Sequence, residues 1–221
     1  MLNTASLLMI DQKFLTTPVH PEFDGEERTT FLNAIVKHQA KVTEVGVEEE
    51  KILKDRGASD EGKRTRLATL GNAQLSNFEF VQRLIEKAQE AKSALLTRML
   101  DPITAKPKGD ATVIFLREQE LRRSIPKEDA NTFYLRALET DDLETVRAIS
   151  DAPGPSWVSP DIRRRGEDAY MKRTNLKAYA RLQAVGQLLD HLNALAESTR
   201  KWLEGLGADA QKVGATLKGA S

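Results

Sequence analysis

Between residues 31 and 52 the chain places Phe31, Ile35, His38, Val42, Val45 and Ile52 at helical spacings, with Glu49 in one slot of the same stripe. Steps of four and three keep these positions on one face, so the pattern predicts an amphipathic helix from about 26 to 56. RGASDEG, residues 56 to 62, offers Gly57 to close that helix and Ser59 or Asp60 to cap the next. So short a link turns the chain back on itself. A second stripe, Leu67, Leu70, Val81, Leu84, Ala88, Ala91 and Leu95, with Phe78, Ile85 and Met99 beside it, predicts a helix from 60 to 100. At about 1.5 Å per residue it would run roughly 60 Å. Gln74 and Asn77 interrupt its seam and read as a break in packing.

In DPITAKPKGD, residues 101 to 110, Pro102 and Pro107 are expected to stop the helix and form a loop. TVIF at 112 to 115 is strand-like by β-branching, but no second strand exists to pair with it, so a helix is expected through LREQELRR. Short helices follow through NTFYLRALE and DLETVRAIS, with Asp141 expected to cap the latter and Glu144 to complete a capping pair. Ser159-Pro160-Asp161 joins a hydroxyl cap, a first-turn proline and a first-turn acid, which starts a third long helix ending near 206 and bending near Thr174 and Asn175. From Leu182 a heptad runs through Val185, Leu189, Leu192, Ala196, Thr199, Leu203 and Leu206. Leu188, Leu195 and Trp202 widen it to three positions in seven, a face suited to a bundle of three or more helices.

These elements give an all-α fold, an elongated helical bundle or coiled-coil hairpin with a small inserted helical subdomain. The expected divisions are an extended arm over 1–24, which contains Pro18 and Pro21, and a long antiparallel hairpin over 25–100. A small helical subdomain follows over 101–158, then a third long helix over 159–206 packing on the hairpin, and a fraying, Gly- and Ala-rich tail over 207–221. Within AISDAPGPSWVSPDIRRR, residues 148 to 165, three prolines bracket Trp157, which reads as a plug at the joint between subdomain and long helix. Trp157 and Trp202 are the candidate packing anchors.

Composition narrows the classes. Aromatics are 5 % and charged residues 30 %, which fits thin helical cores built from Leu, Ile, Val and Ala. Lysine plus arginine equals aspartate plus glutamate at 33 each, so no global field draws the molecule to nucleic acid or a charged surface. The absence of cysteine excludes disulfides, thiolate metal sites and a cysteine nucleophile. MLNTASLLMIDQKF has only LLMI as an apolar run and lacks a basic leader, so neither signal peptide nor membrane anchor is expected. Synthesis in the cytoplasm is the expectation.

Candidate chemistry is sparse. His20, His38 and His191 have no metal-ligand spacing, and KPKGD at 106 to 110 lacks the glycine spacing and the Lys-Ser/Thr pair of a phosphate loop. No catalytic residue, cofactor or metal ligand is assigned. Acid clusters such as Glu48 to Glu50 and Asp141 with Asp142 read as a charged face and a helix start, and the basic cluster is Arg163, Arg164, Arg165, Lys172, Arg173, Lys177 and Arg181 against Asp161, Glu167 and Asp168. Such a stripe suits phosphates, with Tyr170 and Tyr179 placed to stack on bases, although a solvated helix face paired to neighbouring acids is the plainer reading.

The segment LREQELRRSIPKEDANTFYLRALETDDLETVRAISDAP, followed by SPDIRRR, resembles small helical proteins of tailed bacteriophages and prophages. The resemblance covers residues 116 to 175, about a quarter of the chain, and lies in texture: a charged helix, a short hairpin, a proline break and a long helix. It carries over no functional residues and implies a virion or assembly component. The expected function is therefore non-enzymatic: a helical structural or assembly protein of connector, cement or scaffold type, partnered by itself or by other structural proteins. The alternative is a nucleic-acid-associated helical protein working through residues 163 to 181.

Overall fold

The computed structural model describes residues 25–217, which form nine α-helices and one 3-10 turn, with no strand among them. In chain order the helices are α1 (Gly25–Lys54), α2 (Asp60–Ala73), α3 (Leu75–Thr104), α4 (Ala111–Ser124), α5 (Ala130–Glu139), α6 (Leu143–Ser150), α7 (Pro160–Thr174), α8 (Leu176–Gly205) and α9 (Ala210–Thr216), and the 3-10 turn is Lys127–Asp129. The protein is all-α, as its periodicity predicts. The expected N-terminal arm lies outside the described residues, as do residues 218–221 of the tail.

Two compact units divide the chain. Among the described residues the first takes 25–92 and 183–217, and the second is the inserted stretch 93–182. The insertion is wider than the expected 101–158, because α7 does not belong to a third helix laid on the hairpin. It packs on α5 inside the second unit. That packing is close: a Cβ added at Gly166 of α7 would stand 2.8 Å from Cδ1 of Leu138 and 3.3 Å from Cε1 of Tyr134.

The core of the first unit is built by the predicted stripes. Ile35, Val42 and Val45 of α1, Phe78, Val81 and Ile85 of α3, and Leu192, Leu195, Trp202 and Leu203 of α8 are all buried together. The α8 heptad is buried at every position from Leu182 to Leu206. The α3 stripe centres on Phe78, Val81, Ile85 and Ala88, and Ala91 falls outside it on the exposed side. Phe31 belongs to the predicted stripe, but its side chain lies outside the described residues. At the centre of the unit, the Phe78 ring lies 5.3 Å from His38 and meets Trp202 edge-on at 6.0 Å and 89°. His38 and Thr199 are the polar pair in this layer, Nε2 to Oγ1 at 2.8 Å. The Thr199 hydroxyl gives its single hydrogen to the Leu195 carbonyl at 2.8 Å, so it accepts from His38, which fixes the proton on Nε2.

Two predicted long helices are interrupted. After α2, Gln74 holds the turn with its backbone N–H on the Leu70 and Gly71 carbonyls, and the Asn77 amide donates to its side-chain oxygen. The amides thus satisfy each other locally rather than fixing a distant partner. Between α7 and α8, Asn175 leaves helical geometry (φ −150, ψ 76) and accepts the Ala178 N–H at 3.0 Å, capping α8. Pro102, expected to stop α3, lies inside it, and the helix ends only at Thr104. A last-turn proline forfeits one amide, and the burial of Ile103 in the core of the second unit holds the turn in place.

The tail expected to fray is part of the first core. Ala208, Val213 and Leu217 are buried, Asp209 caps α9 by accepting from Gln211 and Lys212, and its own N–H donates to Oδ1 of Asn72 at 3.0 Å. In the joint, Ser159 caps α7 with Pro160 in its first turn, and the Ser159 N–H donates to Oδ1 of Asn131 at 3.0 Å. Trp157 is half-buried on the core of the second unit, beside the fully buried Val158.

Replacing Thr199 by Val should strand the His38 N–H and cost about 1–3 kcal/mol, whereas His38→Leu with Thr199→Val should recover most of that loss. Urea unfolding of the three proteins measures it. Ending the chain after Gly207 removes three buried side chains, and at about 1.5–3 kcal/mol for a buried Val or Leu the loss should be about 3–6 kcal/mol in the same assay.

Candidate functional site

Four consecutive apolar residues, Val113 to Leu116, open α4. At about 100° per residue they sweep about 300° of the helix surface, so one packed face cannot cover them all. α4 packs on α6, and Val113, Phe115 and Leu116 stay 50 %, 57 % and 56 % exposed. Val113 and Leu116, three apart, are neighbours on one flank, and Phe115 lies on the other. The helix is started by Asp110, whose Oδ1 accepts the N–H groups of Thr112 at 2.8 Å and Val113 at 3.2 Å. Gly109, at φ +145, makes the turn that delivers it, a conformation side chains resist.

Beside Val113 runs an open groove of about 320 Å³, lined by Pro107, Lys108, Gly109, Asp110, Val113, Ile114, Arg117, Glu118, Glu144 and Arg147. Residues 107 to 110 of KPKGD, mostly exposed, form one side of this groove. Its acids are partly occupied, with Asp110 on the two amides and Glu118 leaning on Arg122 at 3.8 Å. Among the described residues, Lys108, Arg117 and Arg147 have no ion-pair partner, and the buried Nε of Arg147 has no acceptor.

The predicted basic stripe does not form one face. Arg173 is clamped by Asp141 at 2.7 and 3.1 Å and donates to the Leu138 carbonyl at 2.8 Å, while Arg164 stands 3.6 Å from Asp161. Arg163 is half-buried beside Glu167, Arg181 is half-buried, and only Arg165, Lys172 and Lys177 join Arg164 and Arg173 in facing solvent. Tyr170 is buried with Arg173 over its ring at 5.6 Å, so it cannot stack on a base, and the Tyr179 hydroxyl donates to Asp168 at 2.8 Å. Of the two packing anchors, Trp202 fills the first core and Trp157 covers the second.

Asp141 does not cap α6. Asp142 does, accepting the Thr145 N–H at 3.1 Å and its hydroxyl at 2.6 Å. Asp141 instead takes the left-handed conformation, φ 58, that the tight α5–α6 turn demands and that Asp tolerates. Its carboxylate is freed for Arg173, whose hydrogen bonds hold it below the usual aspartate range.

One polar cluster is buried in the second unit. The fully buried Tyr134 donates to Oε1 of Glu167 at 3.4 Å, and burial, then the Glu167 charge, pushes its phenol up to about 12. Burial also raises Glu167, against the pull of Arg163 and of the Tyr134 hydrogen bond. The cluster ties α7 to α5. No group of three or more His, Asp or Glu side chains among the described residues is placed to hold a metal ion, and no described helix is long and apolar enough to cross a membrane.

No family model, curated protein or solved structure matches the chain.

A raised Glu167 means that the folded state prefers the protonated acid, so its ionisation opposes folding at neutral pH and the penalty fades as pH falls toward the unfolded value. Glu167→Gln, which keeps an acceptor for Tyr134, should melt higher than the parent near neutrality, and the gap should close on acidification. Thermal melts over a pH series check this.

Proposed function

We propose that this chain is a non-enzymatic assembly protein that works bound to copies of itself or to other structural proteins. The observation that carries this reading is the apolar surface of α4, where three large side chains stand more than usually exposed on a well-capped, packed helix. Nothing in the two cores requires them to be apolar, and large exposed apolar side chains set among charges fit a contact surface. The texture shared with small tailed-phage proteins points to the class of assembly: a connector, cement or scaffold element, made in the cytoplasm and carried into a virion.

Nucleic-acid association through residues 163 to 181 is the second reading. The exposed and unpaired Arg165, Lys172 and Lys177 favour it, and the engagement of Arg173 and Tyr170 within the fold weighs against it.

Sedimentation of the native-source protein tests the first reading. The chain should travel in a complex well above 24.6 kDa, and Phe115→Ser with Leu116→Ser should release it as a monomer with its melting temperature unchanged. A monomer in both cases overturns the proposal. Salt-sensitive DNA binding abolished by replacing Arg163, Arg164 and Arg165 with Ala would favour the second reading instead.

A further inference from the structure

We infer that the outer face of α1 pairs with the same face of a second copy of this chain, antiparallel about a two-fold axis midway between residues 40 and 43. This pairing rests on the self-association reading above and gives it a second surface, apart from α4. α1 buries Ile35, His38, Val42 and Val45 in the first core. On the opposite side of the helix Val36, Ala40, Thr43 and Val47 follow at steps of four, three and four, all exposed, the two valines by 54 % and 48 %. At about 100° per residue these four stay within about 60° of one another, half a turn from the buried set. The Thr43 hydroxyl is already engaged, donating to the Gln39 carbonyl at 2.8 Å.

Two features of this face name its occupant. The spacing reads the same from either end, so reversing the chain maps the face onto itself. Two antiparallel copies set Val36 against Val47 and Ala40 against Thr43, each layer occurring twice, and the contact closes on itself. The second feature is charge. Between residues 32 and 47 the charged residues are Lys37, Lys41 and Glu44, and all three fall on one side of the stripe. Lys37 follows Val36 by one residue and Glu44 follows Thr43 by one, so in the antiparallel pair Lys37 of one copy and Glu44 of the other share the gap between two layers. The two-fold axis makes that opposite-charge pair twice. On the other side of the stripe Gln39 meets Gly46 of the second copy, with no bulk to hold the helices apart.

A parallel pair offers neither match. It sets Lys37 beside Leu32 of the second copy and Glu44 beside Gln39, so the flanking charges select the antiparallel arrangement. Within the chain Lys37 lies 4.7 Å over the Phe80 ring and Glu44 pairs with Lys41 at 2.8 Å. Both are contacts of exposed side chains, open to a further partner. Past Val47 the face carries Glu50, Lys51 and Lys54, paired along α1 as Glu50 with Lys54 and Lys51 with Glu48, which limits the apolar contact to about 17 Å of helix. So short a contact belongs with the weak interfaces, under about 1,200 Å² in total, and a Kd of about 10–100 μM is expected. It acts where other contacts already hold copies close together.

Sedimentation equilibrium of the purified full chain up to about 500 μM tests the pairing. A monomer-dimer equilibrium is expected, weakened about tenfold or more by Val36→Ser with Val47→Ser, and similarly by Lys37→Glu alone or Glu44→Lys alone. Mixing the two charge variants should restore the dimer, because one chain of each brings opposite charges together in both pairs. The mixture is compared with its own components, which separates pairing from any change in stability, and unchanged melting of the valine variant confirms that only its surface was altered. A chain monomeric throughout this range overturns the inference, as does a dimer indifferent to the two valines. Loss of the dimer in the charge variants without recovery on mixing overturns it as well. Phe115→Ser with Leu116→Ser should leave this dimer intact, so failure here and failure of the α4 contact are told apart, and a dimer dissolved by that variant belongs to α4 and overturns the pairing. At the dilution of a native-source preparation the α1 dimer dissociates and does not mask release of the chain from an α4 complex.

Discussion

The hydrogen bond from His38 to Thr199 joins residues 161 apart and lies in the core where side chains of α1, α3 and α8 are buried together. The core of the first unit depends on that closure. α1 and α2 form a local hairpin that could assemble from neighbouring sequence, with Asp55 and Arg66 paired across it at 2.6 Å. The core, however, is complete only when the chain returns from residue 183 with the α8 seam. A polar pair inside so apolar a layer has one satisfying geometry, whereas Leu and Val tolerate several. The pair therefore contributes less to net stability than to register, because a helix slipped by one residue leaves two buried polar groups unmet.

Much of this was readable in the sequence because burial on helices is periodic. The α8 heptad, the α1 stripe around His38 and the Ser159-Pro160 start are local patterns, and local patterns survive folding. What escaped depends on partners distant in the chain. The tail is rich in Gly and Ala and weak as an isolated helix, so it read as fraying. It is ordered by Asn72, 137 residues away, and by the core that buries Val213 and Leu217. In the Asp141-Asp142 pair either acid could cap α6 by sequence. The backbone decides, since the turn needs one left-handed residue before the cap.

The basic cluster illustrates the same limit at the candidate site. Seven cations within residues 163 to 181 look like a stripe when counted along the chain, but a helix distributes them around its circumference. Arg173 turns inward to the α5–α6 turn 32 residues back, and Arg163 turns toward Glu167. Neither engagement is visible without the fold. The α4 surface was the converse case. Its signal was in plain view, because four apolar residues in succession cannot all be buried on one face of a helix, yet that signal matters only once TVIF is known to be helical rather than extended.

Those two observations bear on each other. Where the fold had use for a cation it supplied a carboxylate or a carbonyl, as for Arg173, Arg66 and Arg122. Lys108, Arg117 and Arg147 were given none, although Glu144 stands in the same groove. Exposed lysines and arginines need no partner, since water serves them. Arg147 is different, because its Nε is shut away from water and still lacks an acceptor. Arg200 on α8 has the same buried, unmet Nε while its guanidinium pairs with Glu197 at 2.8 Å, so such a donor does not by itself mark a contact surface. What α4 does show is an apolar surface that its packing leaves over, since Val113, Phe115 and Leu116 stay about half exposed on a helix that is capped by Asp110 and packed on α6.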